Sequence, residues 1–489
     1  MNELKKGSQK DILNTIQRIL APELDSTYLV GGIVRDLVLG KQTNDIDLVT
    51  NADSLQIARF LANKFGGDFY PLDVDRYIGR ALIEYNEQSW TIDVSPTNGD
   101  LTANLRRRDF SVNAMAMPLT NISTNEIIDP LGGLSDISLK KIRSLSKDVF
   151  ADDPIRLLRA IRLSGELDFT LQDDTAKLIR SHANLLTKTA PERIRDEFVR
   201  ILMLPSSLPL VRLMDGTSVL CTVIPELSSN KNISQPKEHY WNVFDHNVET
   251  LGFAERIVCS NTRKNNPILK QIPWKSNFSD HFKEEITAGH PRYVIFKLAA
   301  LLHDIAKPAT KTIESNGRIR FIGHTTNGSK VVKQIMDRLR FSRREIELAR
   351  IMVEQHLRPI QISQNWEKPS KRAIYRFYRD LDDAAIDTIV LSFADHLAAV
   401  GPNLKNDEWQ QHVRLAEATI NGGFEEAPVI NSPRLITGHD LIKNLKMKPG
   451  PKLGRILEEV REAQFEGRIT TSEEALTLAT TLGTPGERD

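Results

Sequence analysis

The chain is poor in cysteine, in excess charge of either sign and in long apolar runs. Its 489 residues include two cysteines, Cys221 and Cys259, which are too few for a disulfide framework or a thiolate metal cage. No segment approaches the ~20 uninterrupted apolar residues that a membrane helix needs, and the first residues, MNELKKGSQKDI, lack the apolar core of a signal peptide. We therefore expect a cytoplasmic protein with no membrane partner, in which carboxylates or imidazoles hold any metal ion.

No excess of positive charge marks the chain as a nucleic-acid-binding protein. Lysine and arginine number 65 against 64 aspartate and glutamate, so local basic patches would have to hold an RNA partner. Taken alone, each patch is more typical of a solvated surface than of an RNA site. The two patches are the triple arginine at 106–108 and a later run of Lys443, Lys446, Lys448, Lys452 and Arg455.

Length and apolar periodicity indicate several domains of two kinds. A chain of 489 residues predicts about three or four domains. Between about 27 and 130, runs such as DIDLVT, ALIEY and WTIDVS are typical of strands, and helical spacing occurs at 8–20 and 33–39. After about 150, apolar residues recur three and four positions apart, as in DPIRLLRAIRLSGEL. We predict an α+β multi-domain protein, with an N-terminal mixed sheet and helices followed by all-α domains.

Two later stretches predict interruptions of the helices. Residues 260–292 are polar, contain Pro267 and Pro273, and predict a long surface excursion. Glycines and prolines between 401 and 433 predict broken helices and the start of a last domain. These residues are Gly401, Pro402, Gly422, Gly423, Pro428 and Pro433.

A strand, a glycine turn and a helix form the first candidate site. In YLVGGIVRDLVLG, the Gly31-Gly32 turn would direct backbone N–H groups and the helix dipole at a phosphate. Downstream, NDIDLVT places Asp45 and Asp47 on one face of a strand, because side chains alternate along it. Mg²⁺ binds through such carboxylates and substrate phosphates, so the pattern predicts phosphoryl or nucleotidyl transfer with two metal ions. Asp93 in WTIDVS is a candidate third carboxylate, and a strand-end aspartate is an equal explanation.

A series of motifs resembles a known family. GGIVRDLVLG with NDIDLVT, RRRDFSVNAMA, DPLGGLSDI, DDPIRLLRAIRL and APERIRDEFVRIL are similar, in this order, to the motifs of the class II tRNA nucleotidyltransferase and bacterial poly(A) polymerase family. The match covers residues 27 to about 203. The segment LITGHDLIKNLKMKPGPKLGRILEEV also resembles the C-terminal tRNA-contacting segment of CCA-adding members.

The resemblance implies four domains. They are a catalytic nucleotidyltransferase head similar to that of polymerase β at 1–142, an α-helical neck for base recognition and RNA binding at 143–235, an HD phosphohydrolase domain at 236–402 and an α-helical tail that contacts tRNA at 403–489.

The resemblance also implies roles for individual residues. Asp45 and Asp47 match the metal-binding carboxylates, and Asp153 and Arg156 match an Asp-x-x-Arg pair that reads the incoming base. Three residues apart on a helix, the side chains of this pair would project from one face. The expected nucleotide-binding residues are Gly31, Gly32, Arg35, Arg107, Arg108, Asp109, Asn113, Asp153, Arg156 and Arg159.

The chemistry of the Asp153 and Arg156 pair allows base selection without a template. A carboxylate only accepts hydrogen bonds, and cytosine and adenine carry a donating amino group where uracil and guanine present a carbonyl. Asp153 would therefore select C and A, while Arg156 would donate to the ring nitrogen that both bases share. Without the other motifs, an ion pair in the first turn of a helix would be the better explanation.

Histidines and aspartates in the helical half form a second candidate site. They resemble the metal ligands of the HD phosphohydrolase superfamily, and such ligands suit Mn²⁺, Ni²⁺, Mg²⁺ or Fe²⁺. Some tRNA nucleotidyltransferases carry an HD domain with phosphatase and 2′,3′-cyclic phosphodiesterase activity, and this chain looks similar, although the stretch at 260–292 enlarges the region. The set comprises His246, His303, Asp304 and Asp395, with His324 and His356 as candidates for a second metal ion.

Together these patterns predict an enzyme that adds C and A to tRNA 3′ ends from CTP and ATP. Mg²⁺ would serve the carboxylate site, and a divalent metal the HD site. A-only addition, CC-only addition and poly(A) synthesis are alternatives within the family. From another class, the alternative is an HD phosphohydrolase with a nucleotide-binding regulatory half. A non-catalytic RNA-binding protein is disfavoured because Asp45 and Asp47 are both present, and nothing indicates an obligate protein partner.

Overall fold

The chain forms two compact units in a computed structural model. The first unit comprises residues 1–204 and 213–223, and the second 205–212 and 224–489. The structure describes residues 9–363, 368–430 and 433–483. At 22–24 and 424–430 it describes the backbone only.

The first unit contains all the strands of the main sheet. They are β1 (Thr27–Val30), β2 (Asp45–Thr50), β3 (Asp68–Asp73), β4 (Ile78–Tyr85), β5 (Gln88–Pro96) and β6 (Ala116–Pro118), and a separate short pair follows, β7 (Lys141–Ile142) and β8 (Thr170–Leu171).

The main sheet is mixed and has the strand order β3-β4-β5-β2-β1-β6. β2 and β5 run parallel, whereas the other neighbours in the sheet run antiparallel. The predicted α+β class is therefore confirmed. β3, with the sequence DFYPLD, was not predicted as a strand, because Pro71 and the charged ends of the segment obscure its alternation.

The helices of the first unit are short to medium in length. They are α1 (Gln9–Ile19), α2 (Gly32–Val38), α3 (Ser54–Phe65), α4 (Leu101–Arg106), α5 (Gly133–Ser138), α6 (Val149–Asp152), α7 (Arg156–Leu167), α8 (Asp173–His182), α9 (Pro191–Met203) and α11 (Val219–Val223), while α10 (Leu208–Gly216) is divided between the two units. The chain passes from the first unit to the second and back around α10.

Helix α3 covers one face of the main sheet. The Asp53 side chain accepts a hydrogen bond from the Gln56 N–H at its start, which satisfies one free donor of the first turn. A Cβ on Gly79 of β4 would lie 2.7 Å from the Ala58 Cβ, so the helix packs directly on the strand. Because side chains alternate along β4, Arg80 and Leu82 point to the opposite, open face.

The second unit is mainly helical. Its helices are α12 (Val243–Val258), α13 (Ser260–Asn265), α14 (Phe278–Lys283), α15 (Arg292–Leu302), α16 (Lys307–Thr310), α17 (His324–Arg338), α18 (Arg343–Gln355), α19 (Arg358–Gln361), α20 (Lys371–Leu381), α21 (Ala385–Val400), α22 (Asn406–Ile430), α23 (Gly438–Leu445), α24 (Pro451–Phe465) and α25 (Ser472–Gly483). Two small antiparallel hairpins pair β9 (Glu285–Thr287) with β10 (His290–Pro291) and β11 (Lys311–Ile313) with β12 (Ile319–Phe321).

Helices α12, α15, α18 and α21 pack together in the core of the second unit. Nearly every residue of α15 is buried, as expected for a helix that is apolar all round. The segment Lys371–Asn403, which contains α20 and α21, is long and apolar enough to cross a membrane by length and composition. However, 67% of its apolar window is buried inside the protein, and buried core helices pass the same test.

Much of the stretch at 260–292 lies at the surface, as predicted, but it is not an irregular excursion, because it forms α13, α14 and β9 and is anchored by buried side chains. Phe278 and Phe282 of α14 are 1% and 2% exposed. The ring of Trp274 stacks on Phe282 with a centroid separation of 5.7 Å, and the Arg263 guanidinium lies 3.6 Å from the Trp274 ring centroid. A few large apolar residues anchor this segment to the second unit in spite of its polar composition.

Helix α22 runs through Gly422, Gly423 and Pro428 without a break, so the predicted interruption there is wrong. A Cβ on Gly422 would lie 2.4 Å from Ile374 Cδ1, and one on Gly423 would lie 2.1 Å from Tyr378 Cζ. The two glycines therefore allow α20 to approach α22 closely, instead of ending the helix.

The C-terminal helices α23, α24 and α25 share a small apolar core. Helix α24 is tied to α20 by Glu462, which is 1% exposed and receives hydrogen bonds from Arg376 and an ion pair from Arg372 at 2.5 Å. The residues of the basic run are exposed, at Lys443, Lys446, Lys448, Lys452 and Arg455.

Candidate active sites

Strand β2 presents Asp45 and Asp47 on the open face of the main sheet. Asp45 is exposed, Asp47 is half-buried and Ile46 between them points into the core. Burial raises the pKa of Asp47, the positive charge of Arg108 opposes this shift, and the negative charge of Asp93 adds to it. A divalent cation would relieve this repulsion between carboxylates, so the pair has the character of a metal site.

The glycine turn brings the backbone against this carboxylate pair. Gly31 has a φ of +80°, in the region that favours glycine. A Cβ there would lie 2.6 Å from Arg108 Nη1 and 2.7 Å from Asp47 Oδ2. No side chain fits at Gly31, because the turn, the carboxylate and the guanidinium occupy the same small space.

Asp93 lies next to Asp47 and is paired with an arginine. Parallel strands β2 and β5 hold Asp47 in register with Asp93. Arg80 of β4 donates to both oxygens of Asp93, at 2.7 and 2.8 Å, and these bonds raise the pKa of Arg80. The structure thus brings Asp45, Asp47 and Asp93 to one face, with Arg80 holding the third carboxylate.

Arg35 and Asn113 belong to a buried chain of hydrogen bonds. Arg35 donates to both oxygens of Asp36, at 2.9 and 3.0 Å, and to Asn113 Oδ1 at 2.6 Å. The Asn113 amide donates to Asp109 at 3.0 Å, and the other Asp109 oxygen pairs with Arg159 at 2.9 Å. The chain connects α2, which begins at the glycine turn, with the triple-arginine segment and α7.

A cleft of about 410 Å³ opens beside the triple arginine. Its walls come from the segment after α4, from the start of α7 and from α9, and most of its polar groups are cationic. The residues that line the cleft include Arg107, Arg108, Asp109, Asp153, Arg156 and Arg193.

Asp153 and Arg156 both line the cleft, but they do not share a helix as predicted. Asp153 is extended, with φ −150° and ψ 99°, and α7 begins at Arg156. Pro154 explains the difference, because a proline disfavours the helical conformation of the preceding residue. Arg156 donates to the backbone carbonyls of Val149 and Arg107, at 3.2 and 3.3 Å.

The partner of Asp153 is Arg193 of α9. The two guanidinium nitrogens lie 3.1 and 2.9 Å from the two carboxylate oxygens. Neither Arg193 nor Arg80 was identified from the sequence. Arg193 lies inside the motif APERIRDEFVRIL, but its spacing from Asp153 carries no periodic signal, and Arg80 follows an unpredicted strand.

In the second unit, the histidines and aspartates expected at an HD site lie together. His246 of α12 and His303 after α15 place their Nε2 atoms 3.0 Å apart. Asp304 and Asp395 lie 3.4 and 3.1 Å from His246 Nε2. His324 and His356 approach the other oxygen of Asp304, at 3.4 and 3.8 Å. Three overlapping groups of these residues have ligand atoms within 4.8 Å of one another.

The donor set of this cluster suits a divalent metal. Asp304 Oδ1 and His324 Nε2 are buried and have no hydrogen-bond partner in the part of the chain that the structure describes. Burial would raise the pKa of Asp304, but Lys307, at 2.5 Å, and His303 hold this pKa well below its usual range. Burial would lower the pKa of His303, but Asp304 and Asp395 raise it to about 10. The cluster therefore attracts positive charge.

The cluster opens into a cavity of about 1360 Å³ in the second unit. The hairpin of β11 and β12 forms one wall with Arg318 and Arg320, and the segment around Lys237 and His239 forms another. Burial, followed by the charge of Lys307, lowers the pKa of His239 to about 4, so its imidazole is neutral at pH 7. A cavity with cationic walls and paired metal ligands suits the hydrolysis of a phosphoester.

Family models match three parts of the chain. A poly(A) polymerase head domain matches residues 27–143, and a probable RNA- and SrmB-binding site of polymerase A matches 168–231. A putative domain 2 of tRNA nucleotidyltransferases matches 324–479.

Curated relatives cover most of the chain. It is 29% identical to an A-adding tRNA nucleotidyltransferase of Deinococcus radiodurans, over 93% of this chain and 95% of that protein. It is 27% identical to a CC-adding tRNA nucleotidyltransferase of Thermus thermophilus, over 92% of each. A multifunctional CCA protein of Pseudomonas paraeruginosa is 30% identical, over 67% of this chain and 74% of that protein.

The fold is also that of a solved enzyme. The Thermotoga maritima CCA-adding enzyme, complexed with tRNA, superimposes with a TM-score of 0.57 at 20% identity, over 96% of this chain and 94% of that one. With the carboxylate face and the cationic cleft described above, these matches show that the chain belongs to the tRNA nucleotidyltransferase and poly(A) polymerase family.

Proposed function

We propose that the protein adds C and A nucleotides to the 3′ ends of tRNA, using CTP and ATP and no nucleic-acid template. The observation that carries this proposal is the open sheet face with Asp45 and Asp47 next to a cleft that contains Asp153 and Arg156. The names of the relatives support tRNA as the acceptor, and the exposed basic run at the C-terminal helices suits contact with its phosphates. With tRNA as substrate, the protein would act in the cytoplasm.

The carboxylates would hold Mg²⁺, which supplies charge stabilisation to the attacking and leaving oxygens when bound. Asp45 and Asp47 provide oxygen ligands on one strand, and Asp93 is available as a third carboxylate if Arg80 releases one of its oxygens. Arg108, with a side chain beside Gly31 and Asp47, is placed to bind the triphosphate. The 3′ hydroxyl of tRNA then attacks the α-phosphate, and pyrophosphate leaves.

The cleft would hold the incoming base. The Asp153 carboxylate accepts from the exocyclic amino group of C or A, and Arg156 donates to the neighbouring ring nitrogen. Arg193 orients the Asp153 carboxylate through two hydrogen bonds. Uracil and guanine present a carbonyl to Asp153, so two acceptors would face each other.

The relatives include both A-adding and CC-adding enzymes, so the number of added nucleotides needs an experiment. Purified protein and Mg²⁺ are incubated with tRNA that ends at the discriminator base, or after CC, and with each labelled nucleotide in turn. CCA addition predicts CMP incorporation into the first tRNA and AMP incorporation into the second. Incorporation of only one nucleotide would reassign the protein to CC or A addition, and no incorporation into either tRNA would refute the proposal.

A second proposed activity is metal-dependent phosphoester hydrolysis in the second unit. The convergence of His246, His303, Asp304 and Asp395 supports it, with His324 and His356 able to bind a second ion. Such ligands accept Mn²⁺, Ni²⁺, Mg²⁺ or Fe²⁺. A 2′,3′-cyclic phosphate blocks nucleotide addition, so a hydrolase that opens it would serve the same tRNA end. Assays with 2′,3′-cyclic AMP and each metal test the activity, and inactivity with all of them would refute it.

A further inference from the structure

A row of side chains crosses the open face of the main sheet from the carboxylates to the sheet edge. Asp47 is in register with Asp93, Asp93 with Arg80, and Arg80 with Tyr70 of the edge strand β3. Residues directly opposite each other on neighbouring strands point to the same face. The hydrogen bonds between Arg80 and Asp93 agree with this geometry.

A second row runs parallel to the first and contains Leu82. Leu82 is in register with Thr91 of β5, and Thr91 with Asp45. Tyr70 is 50% exposed and Leu82 39% exposed, although both belong to strands whose other face is covered by α3. Two side chains with large apolar surfaces are therefore open to solvent on the same face as the carboxylates, where bases of a nucleic acid could contact them.

The carboxylates lie between these two rows and the residues expected to bind the triphosphate, Gly31 and Arg108. In the strand order, β2 stands between β5 and β1. Gly31 follows β1 and lies against Arg108, whereas Tyr70, Arg80 and Leu82 lie beyond β5. Nucleotidyl transfer needs two reactants at the metal ligands, so the side away from Arg108 is free for the acceptor.

We propose that Tyr70, Arg80 and Leu82 form an acceptor platform that binds the unpaired 3′ end of the RNA substrate. This inference rests on the proposed nucleotide addition. The Tyr70 ring stacks with a base and the Leu82 side chain makes an apolar contact with another, which requires no particular sequence, and the Arg80 guanidinium approaches a backbone phosphate. Three strand spacings of ~4.8 Å separate Tyr70 from Asp47, a span of roughly 14 Å that fits about three or four stacked nucleotides.

Steady-state kinetics of Tyr70→Ala and Leu82→Ala test the platform. Tyr70→Ala should raise KM for tRNA about tenfold, since base stacking on an aromatic side chain has about this strength. Leu82→Ala should raise it by a smaller factor, since only an apolar contact is lost. KM for CTP and the discrimination against UTP should stay at wild-type values, because the base and triphosphate bind elsewhere. Tyr70→Phe should keep the wild-type KM for tRNA, because the aromatic ring is retained.

Phe60→Ala is the matched control. Phe60 is 43% exposed and lies on α3, which covers the other face of the sheet, so its removal should not change KM for tRNA. A tRNA with 4-thiouridine near its 3′ end should also form a photo-cross-link to β3 or β4 in the wild type and lose it in Tyr70→Ala.

The outcomes separate this inference from the proposed function. Active enzyme with an unchanged KM for tRNA in Tyr70→Ala and Leu82→Ala would overturn the platform and leave nucleotide addition intact. An equal effect of Phe60→Ala would also overturn it. Wild-type protein that adds no nucleotide to any tRNA would overturn the proposed function and the platform together.

Discussion

Gly31, Asp47 and Arg108 crowd into a space that no added methyl group can enter. The backbone of the turn, one carboxylate oxygen and one guanidinium nitrogen all meet where a Cβ would stand. Burial raises the pKa of Asp47, so the ionised form that a metal needs is disfavoured until a cation is present. The ionised Asp47 that would bind a metal ion therefore lowers the stability of the folded protein when no cation is bound.

The first prediction is that Asp45→Ala or Asp47→Ala abolishes addition of both CMP and AMP. Each change removes a metal ligand without removing buried apolar area, so the protein should still fold.

A related expectation concerns stability. The pKa of Asp47 is higher in the folded protein than in the unfolded chain, so at pH 7 the ionised carboxylate destabilises the folded state. Asp47→Asn removes this charge and should therefore keep or raise the melting temperature of the metal-free protein at pH 7. Single-turnover incorporation and thermal melting measure the two effects.

The exposed Asp174 of α8 provides the control for this prediction. Asp174→Ala should leave incorporation and melting temperature unchanged. If Asp47→Ala kept half of the wild-type rate, the assignment of metal ligands would be wrong.

A second prediction concerns the ion pair of Asp153 and Arg193. Asp153→Ala should lose discrimination against UTP and GTP, while the arginines still hold the triphosphate. Arg193→Ala should lose part of the same discrimination, because it frees the carboxylate to rotate. The double variant should be no less selective than Asp153→Ala alone, since both changes act through one carboxylate.

A four-nucleotide competition assay measures this selectivity directly. Arg200→Ala, at a more exposed position of the same cleft, serves as the control for a general loss of positive charge. Unchanged selectivity in Asp153→Ala would exclude base reading by this residue.

Helices α20 and α22 illustrate how packing overrides local propensity. Glycine in a helix interior usually costs about 1 kcal/mol relative to alanine, yet α22 carries two adjacent glycines. They face Ile374 and Tyr378 of α20 at distances that leave no room for a Cβ. The loss of helix propensity is compensated by the close approach of the two helices.

The third prediction compares two glycines in neighbouring helices. Gly423→Ala should destabilise the protein by about 1–3 kcal/mol, because the methyl group would displace the Tyr378 ring. Gly454→Ala in α24, where nothing lies within 4 Å of the added Cβ, should stabilise by up to about 1 kcal/mol. Urea denaturation of both variants decides the matter, and equal shifts in the same direction would contradict the packing explanation.

At the scale of the whole molecule, the two candidate sites lie in different compact units. Asp45 and Asp47 belong to the first unit, and His303 and Asp304 to the second. Their ligand chemistry also differs, because carboxylates alone suit Mg²⁺ while imidazoles favour later transition metals. The two activities should therefore be separable by mutation and by metal.

The fourth prediction follows from this separation. Substituting His303 and Asp304 together by alanine should eliminate hydrolysis of a 2′,3′-cyclic phosphate and leave CMP incorporation into an open 3′-hydroxyl tRNA nearly unchanged. Both activities are measured on one purified variant, with Ni²⁺, Mn²⁺ or Mg²⁺ supplied in turn. Asp45→Ala provides the reciprocal variant, which should hydrolyse the cyclic phosphate at the wild-type rate.

Loss of both activities in a folded His303 and Asp304 variant would mean that the two units depend on each other. If the wild type hydrolyses no cyclic phosphate with any of these metals, the histidine cluster has a structural role only.

Local patterns were sufficient for the fold class, for most strands of the main sheet and for the candidate carboxylates. Alternation along DIDLVT put Asp45 and Asp47 on one face, as the structure has them. The same local reasoning failed for Asp153, where Pro154 prevents the helical conformation, and in part for 260–292, where a few large apolar residues outweigh a polar composition. Both results depend on features that the spacing of apolar residues cannot predict: the effect of a proline on the backbone before it, and side-chain contacts made in the folded protein.

By itself, the amino-acid sequence determined which kinds of residue are available: the acidic pair after the glycine turn, the basic segment and the histidines of the helical half. Tertiary structure alone decided their partners. Arg80 reaches Asp93 through strand register, Arg193 reaches Asp153 from another helix, and Asp304 meets His356 from a distant one. Each pairing joins residues of different strands or helices, and its geometry is set by strand register and by how helices pack rather than by any repeat along the sequence.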